Sequence, residues 1–331
     1  MKRRLSSLLA GWYAQGHRDL PWRRTTDPYR IWVSEIMLQQ TRAAAVIPYY
    51  HRFLERFPTV ETLAEAAETD VLALWSGLGY YSRARNLLRA ARRIAARGAF
   101  PRQYDELRQL PGVGDYTAAA VASITFAEPR AVLDGNVLRV VARMENDAGD
   151  IVSLKTRERF RAVAEGWLDR RHPGEFNQAL MELGATVCLP RRPLCPQCPL
   201  RGECRALQSG TVEQLPVKLG HVQPARIEAV LLLLRRGHRV LLRQRAATER
   251  RMAGFWDLPA PEHLPGIRPG ADLGRFRHTI THHRYTFTVK AAPPPKRLPA
   301  SSLFRWLEPR EAGGIPLSTT ARKALRLAKV L

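Results

Sequence analysis

The chain has 331 residues, 45% of them hydrophobic, and carries 53 Lys and Arg against 30 Asp and Glu, a formal net charge of +23. That length supports two domains with cores of their own, and the charge points to a polyanionic partner such as nucleic acid. The excess is +9 over residues 1–210 and +14 over 211–331, so both halves can face a phosphate backbone. The longest strongly apolar run, Ala229–Leu234, is too short to cross a bilayer, and the apolar stretch after Met1-Lys-Arg-Arg is too short for a signal peptide. The expectation is a cytoplasmic, nucleoid-associated monomer with no membrane partner.

In chain order, residues 1–207 read as helical. Apolar residues recur every three or four positions in Val71–Trp75, Leu87–Ile94, Ala118–Phe126 and Val137–Met144. The pattern fails over 208–226, a linker, and changes period after Ile227. Glu228–Leu234, Arg239–Arg243, Tyr285–Val289 and Leu303–Leu307 read as strands, and Thr319–Lys329 as a closing helix. The domain expectation is an all-α domain over 1–207, a linker over 208–226 and a smaller α+β domain over 227–331.

Asp27-Pro28 opens a helix by N-cap and N1 proline, and Glu35 on that helix shares a face with Ile31, Trp32 and Leu38. A carboxyl in that company has its ionised form disfavoured, which makes it a proton donor near neutral pH or a buried structural acid. The helix ends in Gln39-Gln40-Thr41, polar side chains suited to the gap that a displaced base leaves in DNA. Trp75-Ser-Gly-Leu-Gly-Tyr-Tyr-Ser-Arg-Ala-Arg-Asn86 joins a glycine turn to two tyrosines, Tyr80 among them, and two arginines, Arg83 among them, which either wedge between bases while holding phosphates or form a core turn with solvated Arg. In Leu110-Pro-Gly-Val-Gly-Asp115, Gly112 and Gly114 permit positive φ, and the helix that follows offers its first amides to a phosphate. Asp134, in Leu-Asp-Gly-Asn-Val, opens the next helix as its cap or as a second functional acid.

All four cysteines, Cys188, Cys195, Cys198 and Cys204, fall in one short window spaced C-x6-C-x2-C-x5-C. In a reducing compartment they suit a metal site, either zinc or an iron–sulfur cluster, and only one of the spacings is a short zinc-type knuckle. Arg191 and Arg192 lie in the first loop and would face phosphate.

Taken together, LPWRR, DPYRIWVSEIMLQQTR, GLGYYSRARN, LPGVGDYTAAA, LDGNV, FNQALMELGA and the cysteine loop resemble the MutY adenine DNA glycosylases of the helix-hairpin-helix, endonuclease III-like superfamily. The resemblance covers nearly all of 18–207. It implies an all-α helix-hairpin-helix glycosylase domain with a [4Fe–4S] cluster loop, followed by an α+β Nudix-like domain. The partner it implies is double-stranded DNA with adenine opposite 8-oxoguanine or guanine. By the same resemblance Glu35 and Asp134 are the catalytic acids, and Tyr116 and Asn136 position Asp134 and the sugar. Trp22, Arg23, Leu38 and Gln178 form the adenine pocket, and Gln40 and Tyr80 enter the duplex. Tyr116 stands where endonuclease III has its catalytic Lys, so strand cleavage should be weak or absent. Ala253-Gly-Phe-Trp-Asp-Leu-Pro259 matches the Nudix G-x-W-x-x-P landmark, without the glutamate-rich helix that pyrophosphate hydrolysis needs. The lesion-reading loop, Phe-Ser-His in the family, is here Ile280-Thr281-His282, which keeps a hydroxyl and the His. Other readings are a mismatch-thymine or oxidised-pyrimidine glycosylase of the same group, or a non-catalytic DNA-binding protein.

Overall fold

The computed structural model describes residues 2–220, 225–246, 248–249, 252–280, 283–298 and 303–331. They pack as two compact units, one of Met1–Ala64 with Arg89–His221 and the other of Glu65–Leu88 with Val222–Leu331. In chain order the helices are α1 (Lys2–Gln15), α2 (Pro28–Leu38), α3 (Ala43–Arg56), α4 (Val60–Ala64), α5 (Glu68–Trp75), α6 (Ser82–Arg97) and α7 (Tyr104–Arg108). They continue with α8 (Asp115–Phe126), α9 (Gly135–Glu145), α10 (Leu154–Trp167), α11 (Pro173–Thr186) and α12 (Arg205–Gln208). Strands β1 (Ala225–Arg236), β2 (Arg239–Gln244), β3 (Trp256–Asp257), β4 (Asp272–Ile280), β5 (His283–Ala292) and β6 (Phe304–Leu307) follow, and α13 (Thr319–Leu327) closes the chain.

In the first unit the three- and four-residue periodicity buries one stripe per helix. Leu5 and Leu9 of α1, Val137, Val140 and Val141 of α9, Phe160 of α10 and Leu180 and Leu183 of α11 share one core. Two glycines let helices approach closely. A Cβ on Gly174 would stand 2.7 Å from the backbone of α8, and one on Gly184 would stand 2.6 Å from Asn136 Cβ at the start of α9. Much of the expected linker is fastened to this unit. Val212 and Leu215 are buried, their carbonyls each take a 3.0 Å hydrogen bond from Arg143 Nε, and Val217 O accepts from Ile151 N–H.

In the second unit the strands form a mixed sheet in the order β3-β2-β1-β5-β4, with β6 on β2. β1 runs parallel to β5 from Ala225↔His283 to Leu234↔Ala292, and β4 and β5 form an antiparallel pair. The unbroken leucine run of β1 follows from burial on both faces. Leu231 and Leu233 pack with Phe287, Val289 and α13, whereas Leu232 and Leu234 pack with Leu241 and Leu264. Strands β3 and β4 were not expected from the sequence. Ile280 ends β4 rather than lying in a loop, and Thr281 and His282 lie outside the described residues. The grouping of residues 65–88 with this unit also departs from the expected boundary. No described helix is long and apolar enough to cross a membrane.

Candidate active site

Asp27 caps α2 by accepting from the Tyr29 and Arg30 N–H groups, and the helix carries Glu35 into the interior, where it is 4% exposed. The Tyr116 hydroxyl donates to Glu35 Oε2 at 2.7 Å and lies 3.2 Å from Met181 Sδ. Burial lifts the Glu35 carboxyl to about 7, with the Tyr116 hydrogen bond opposing and the negative charge of Asp134 adding to the rise. The Tyr116 phenol is itself pushed well above its ordinary value by burial and by the two acids, so it stays a donor.

Asp134 has the opposite environment. As N-cap of α9 it accepts from Val137 N–H at 2.7 Å through Oδ1, and from Asn136 Nδ2 at 2.9 Å through Oδ2. Both oxygens are filled by N–H donors, the arrangement of a carboxylate, although burial raises its pKa above the ordinary value. The segment before it is pinned by Asn177, a fully buried side chain that accepts from Val132 N–H and donates to Arg130 O and Ser123 Oγ. Asn136 Oδ1 in turn accepts from Arg139 Nη2 at 3.0 Å, and Arg139 also donates to Gly184 O and Cys188 O. Neither Asn177 nor Arg139 stood out in the sequence. One lies inside FNQALMELGA, and the other reads as an ordinary exposed helix cation.

Near α11, Arg23 donates to Glu182 Oε2 at 2.7 Å and stands over the Tyr13 ring, and the Tyr13 hydroxyl donates to Gln178 Oε1 at 3.3 Å. Burial would raise Glu182, but the Arg18 and Arg23 guanidinium groups beside it bring it down to about 2. Tyr13 and Glu182, which motif reasoning missed, thus hold two expected pocket residues, Gln178 and Arg23. Trp22 is buried edge-on against Tyr50 at 5.4 Å, and Leu38 is half-buried at the end of α2. Gln39 Nε2 donates to Thr117 Oγ1 at 3.1 Å, Thr41 bonds the Gln39 carbonyl, and Gln40 stands exposed with φ +57°.

Gly112 adopts φ +78°, as expected, but Gly114 is extended at φ −93°. A Cβ on Gly114 would meet nothing, so its bareness opens the α8 N-terminus rather than permitting a turn. Tyr80 is 48% exposed and also left-handed, at φ +49°. A second correction concerns Arg83. It is 7% exposed, donates to Gly79 O at 3.1 Å, and lies over the Trp75 and Tyr80 rings, so it braces the turn instead of reaching for phosphate. Burial pulls its pKa down to about 10. Arg191 and Arg192 are exposed.

The four cysteines line one pocket with the apolar Val140, Met144, Leu183 and Val187, and Arg143 Nη1 lies 3.3 Å from Cys188 Sγ. Among the described residues no three His, Cys, Asp or Glu are gathered closely enough for a single metal ion. Four thiols lining one pocket, with a guanidinium against one of them, are a donor set that fits a metal centre.

A glycine hairpin opening a helix, flanked in the chain by a buried Glu35 and a half-buried, amide-bonded Asp134, marks a base-excision glycosylase of the helix-hairpin-helix class. Residues 33–166 match the family described as HhH-GPD superfamily base excision DNA repair protein. The fold of a thermostable thymine-DNA glycosylase superposes with a TM-score of 0.58 at 29% identity, over 63% of this chain and 97% of that one. Human adenine DNA glycosylase is 34% identical across 96% of this chain and 73% of its own length. The mouse adenine DNA glycosylase is 47% identical over 63% of this chain, a match that takes in 44% of the mouse protein. The chain belongs to the adenine DNA glycosylases.

Proposed function

We propose that this chain hydrolyses the N-glycosidic bond of adenine mispaired with 8-oxoguanine, or with guanine, in double-stranded DNA, without cleaving the strand. The observation that carries the reading is the Glu35–Tyr116–Asp134 group, two acids of which one holds a proton near neutral pH and the other is dressed as a carboxylate. Adenine leaves the stack to reach them, at least cost where it is mispaired. Trp22, Arg23, Leu38 and Gln178 receive the base. Glu35 gives its proton to adenine N7 as the C1′–N9 bond breaks and its electron pair leaves with the base. Asp134 stabilises the oxocarbenium-like sugar, or bonds to it, until water completes hydrolysis, in the manner of paired-carboxylate glycosidases. Tyr116 holds Glu35 and has no amine to form a Schiff base.

Gln39, Gln40 and Thr41 fill the gap that the displaced adenine leaves, and Gln40 and Tyr80 enter the duplex beside the opposite base. The uncapped α8 N-terminus behind Gly112 and Gly114 takes a backbone phosphate, as do Arg191 and Arg192. The end of β4 and residues Thr281 and His282 read the base opposite. Cys188, Cys195, Cys198 and Cys204, with Arg143 against them, hold a [4Fe–4S] cluster that shapes the basic loop when bound.

The test is single-turnover adenine release from duplexes holding A opposite 8-oxoguanine and A opposite G. Release from the first faster than from the second is expected, with no borohydride-trapped adduct. Glu35→Gln and Asp134→Asn should each abolish release while duplex binding persists. Near-normal turnover in either variant overturns the mechanism, and release of thymine or an oxidised pyrimidine in place of adenine overturns the substrate.

A further inference from the structure

Two stretches singled out in the sequence, Gly77–Tyr81 and the Ala253–Phe255 corner, meet within the second unit. Tyr81 is 7% exposed, and its ring centroid lies 4.0 Å from that of Phe255, which is fully buried. Ser76 Oγ donates to Leu317 O at 2.6 Å and receives Arg322 Nη2 at 3.2 Å. The Gly77 N–H donates to the Tyr81 hydroxyl, which also meets the Thr319 hydroxyl, and Arg85 donates to Ala253 O. Within the turn, Trp75 Nε1 and Arg83 Nη2 both donate to Gly79 O. These contacts fix the turn around Tyr80, whose ring meets the Arg83 guanidinium on one face and remains 48% exposed. A left-handed tyrosine persists only where its surroundings over-determine it, and such positions gather at functional sites.

We infer that the Ala253–Phe255 corner, together with the Leu317–Arg322 segment, is a socket that grips the Gly77–Tyr81 turn and so presents Tyr80 to the duplex, with Phe255, Tyr81 and Ser76 as positioning residues. The inference rests on the reading that Tyr80 enters DNA beside the mispair. A ring driven between bases bears the restoring force of the stack, so the turn behind it must be held on both sides. The glycine-rich turn supplies little stiffness of its own, and the socket supplies it. Tyr80, Tyr81, His278 and Ile280 line one cleft of about 960 Å³ in this unit. The wedge and the strand end that reads the opposite base are therefore parts of one body, and loosening the socket impairs base extrusion as well as lesion reading.

The experiment uses the full-length, cluster-loaded protein and a duplex with 2-aminopurine beside the mispair, whose fluorescence rises when stacking is broken. Tyr80→Ala should lose the rise. Phe255→Leu and Tyr81→Leu should lose most of it and slow adenine release about tenfold, with affinity for undamaged duplex unchanged. Tyr81→Phe keeps the ring pair and should keep the signal. In a Tyr80→Ala background, Phe255→Leu should slow release no further, whereas a merely structural role would add its own cost. A normal fluorescence rise in Phe255→Leu, with Tyr80→Ala deficient, overturns the socket. A normal rise in Tyr80→Ala overturns the placement of Tyr80 itself and takes the socket with it. Melting temperatures check folding, and should Phe255→Leu fold poorly, Ser76→Ala removes the hydrogen bonds to Leu317 O and from Arg322 Nη2 and carries the same test.

Discussion

At the scale of single residues, the proposed role of Glu35 as proton donor predicts the pH range in which the site works. With its pKa at about 7, the carboxyl is protonated below neutrality and lost as a donor above it. Base release should therefore be flat on the acid side and fall about tenfold per pH unit well above 7, as a general acid requires. A single-turnover pH profile that stayed level to pH 9 would remove Glu35 from that role. The linkage has a fixed sign too. A carboxyl whose pKa is raised by folding makes the native state lose stability as pH rises from the ordinary carboxylate range toward 7. Glu35→Gln should then melt higher than the parent at pH 8 and close to it at pH 5. The position of Glu35 was legible because helical spacing alone sets Ile31 and Trp32 beside it, and both are buried. The misplacement of Arg83 was not avoidable in the same way. A guanidinium beside tyrosines suits a phosphate and a stacked interior equally well, and only the folded turn decides between them.

At the scale of elements, the amphipathic helices and the Asp27 and Asp134 caps followed from local chemistry and are where the spacing puts them. Strand β4, by contrast, alternates between exposed and half-buried residues, Arg275, Arg277 and Thr279 among them, so it carries no apolar signal of its own. Its pairing with β5 supplies what the sequence lacks. Close packing of elements was equally invisible. Gly184 reads as one more helix glycine, yet α11 approaches α9 so closely there that any Cβ would strike Asn136. Gly184→Ala should push Asn136 off Asp134 and slow base release roughly tenfold to a hundredfold, because small misplacements of a catalytic group carry costs of that size. Duplex affinity should change little. Unaltered release would mean that the Asn136–Asp134 bond is not needed for the chemistry.

For the whole molecule, composition anticipated two bodies and a polyanion partner, and the order of motifs anticipated a helical part before a mixed sheet. What it could not anticipate is that the second body is discontinuous. Residues 65–88 lie deep within the stretch that carries the helical period, and their attachment to the C-terminal unit depends on contacts such as Tyr81 with Phe255 and Ser76 with Leu317. Periodicity reports that a face is apolar, but it does not name the surface that covers it.

That discontinuity orders events at the ribosome. Residues 65–88 leave the exit tunnel early, yet the rest of their unit is made only after all of 89–221 has been translated. Throughout that interval the turn bearing Tyr80 has no Phe255 to lean on, and Tyr81 has an aromatic face left uncovered. A chain stopped at residue 221 should thus be nicked selectively within 65–88 by a trace of protease under conditions that spare the same stretch in the full-length chain. If Tyr80 is the proposed wedge, it becomes fit for use last although it is among the first parts to be synthesised, and an unfinished copy of the chain is expected to lack the support for prying open DNA.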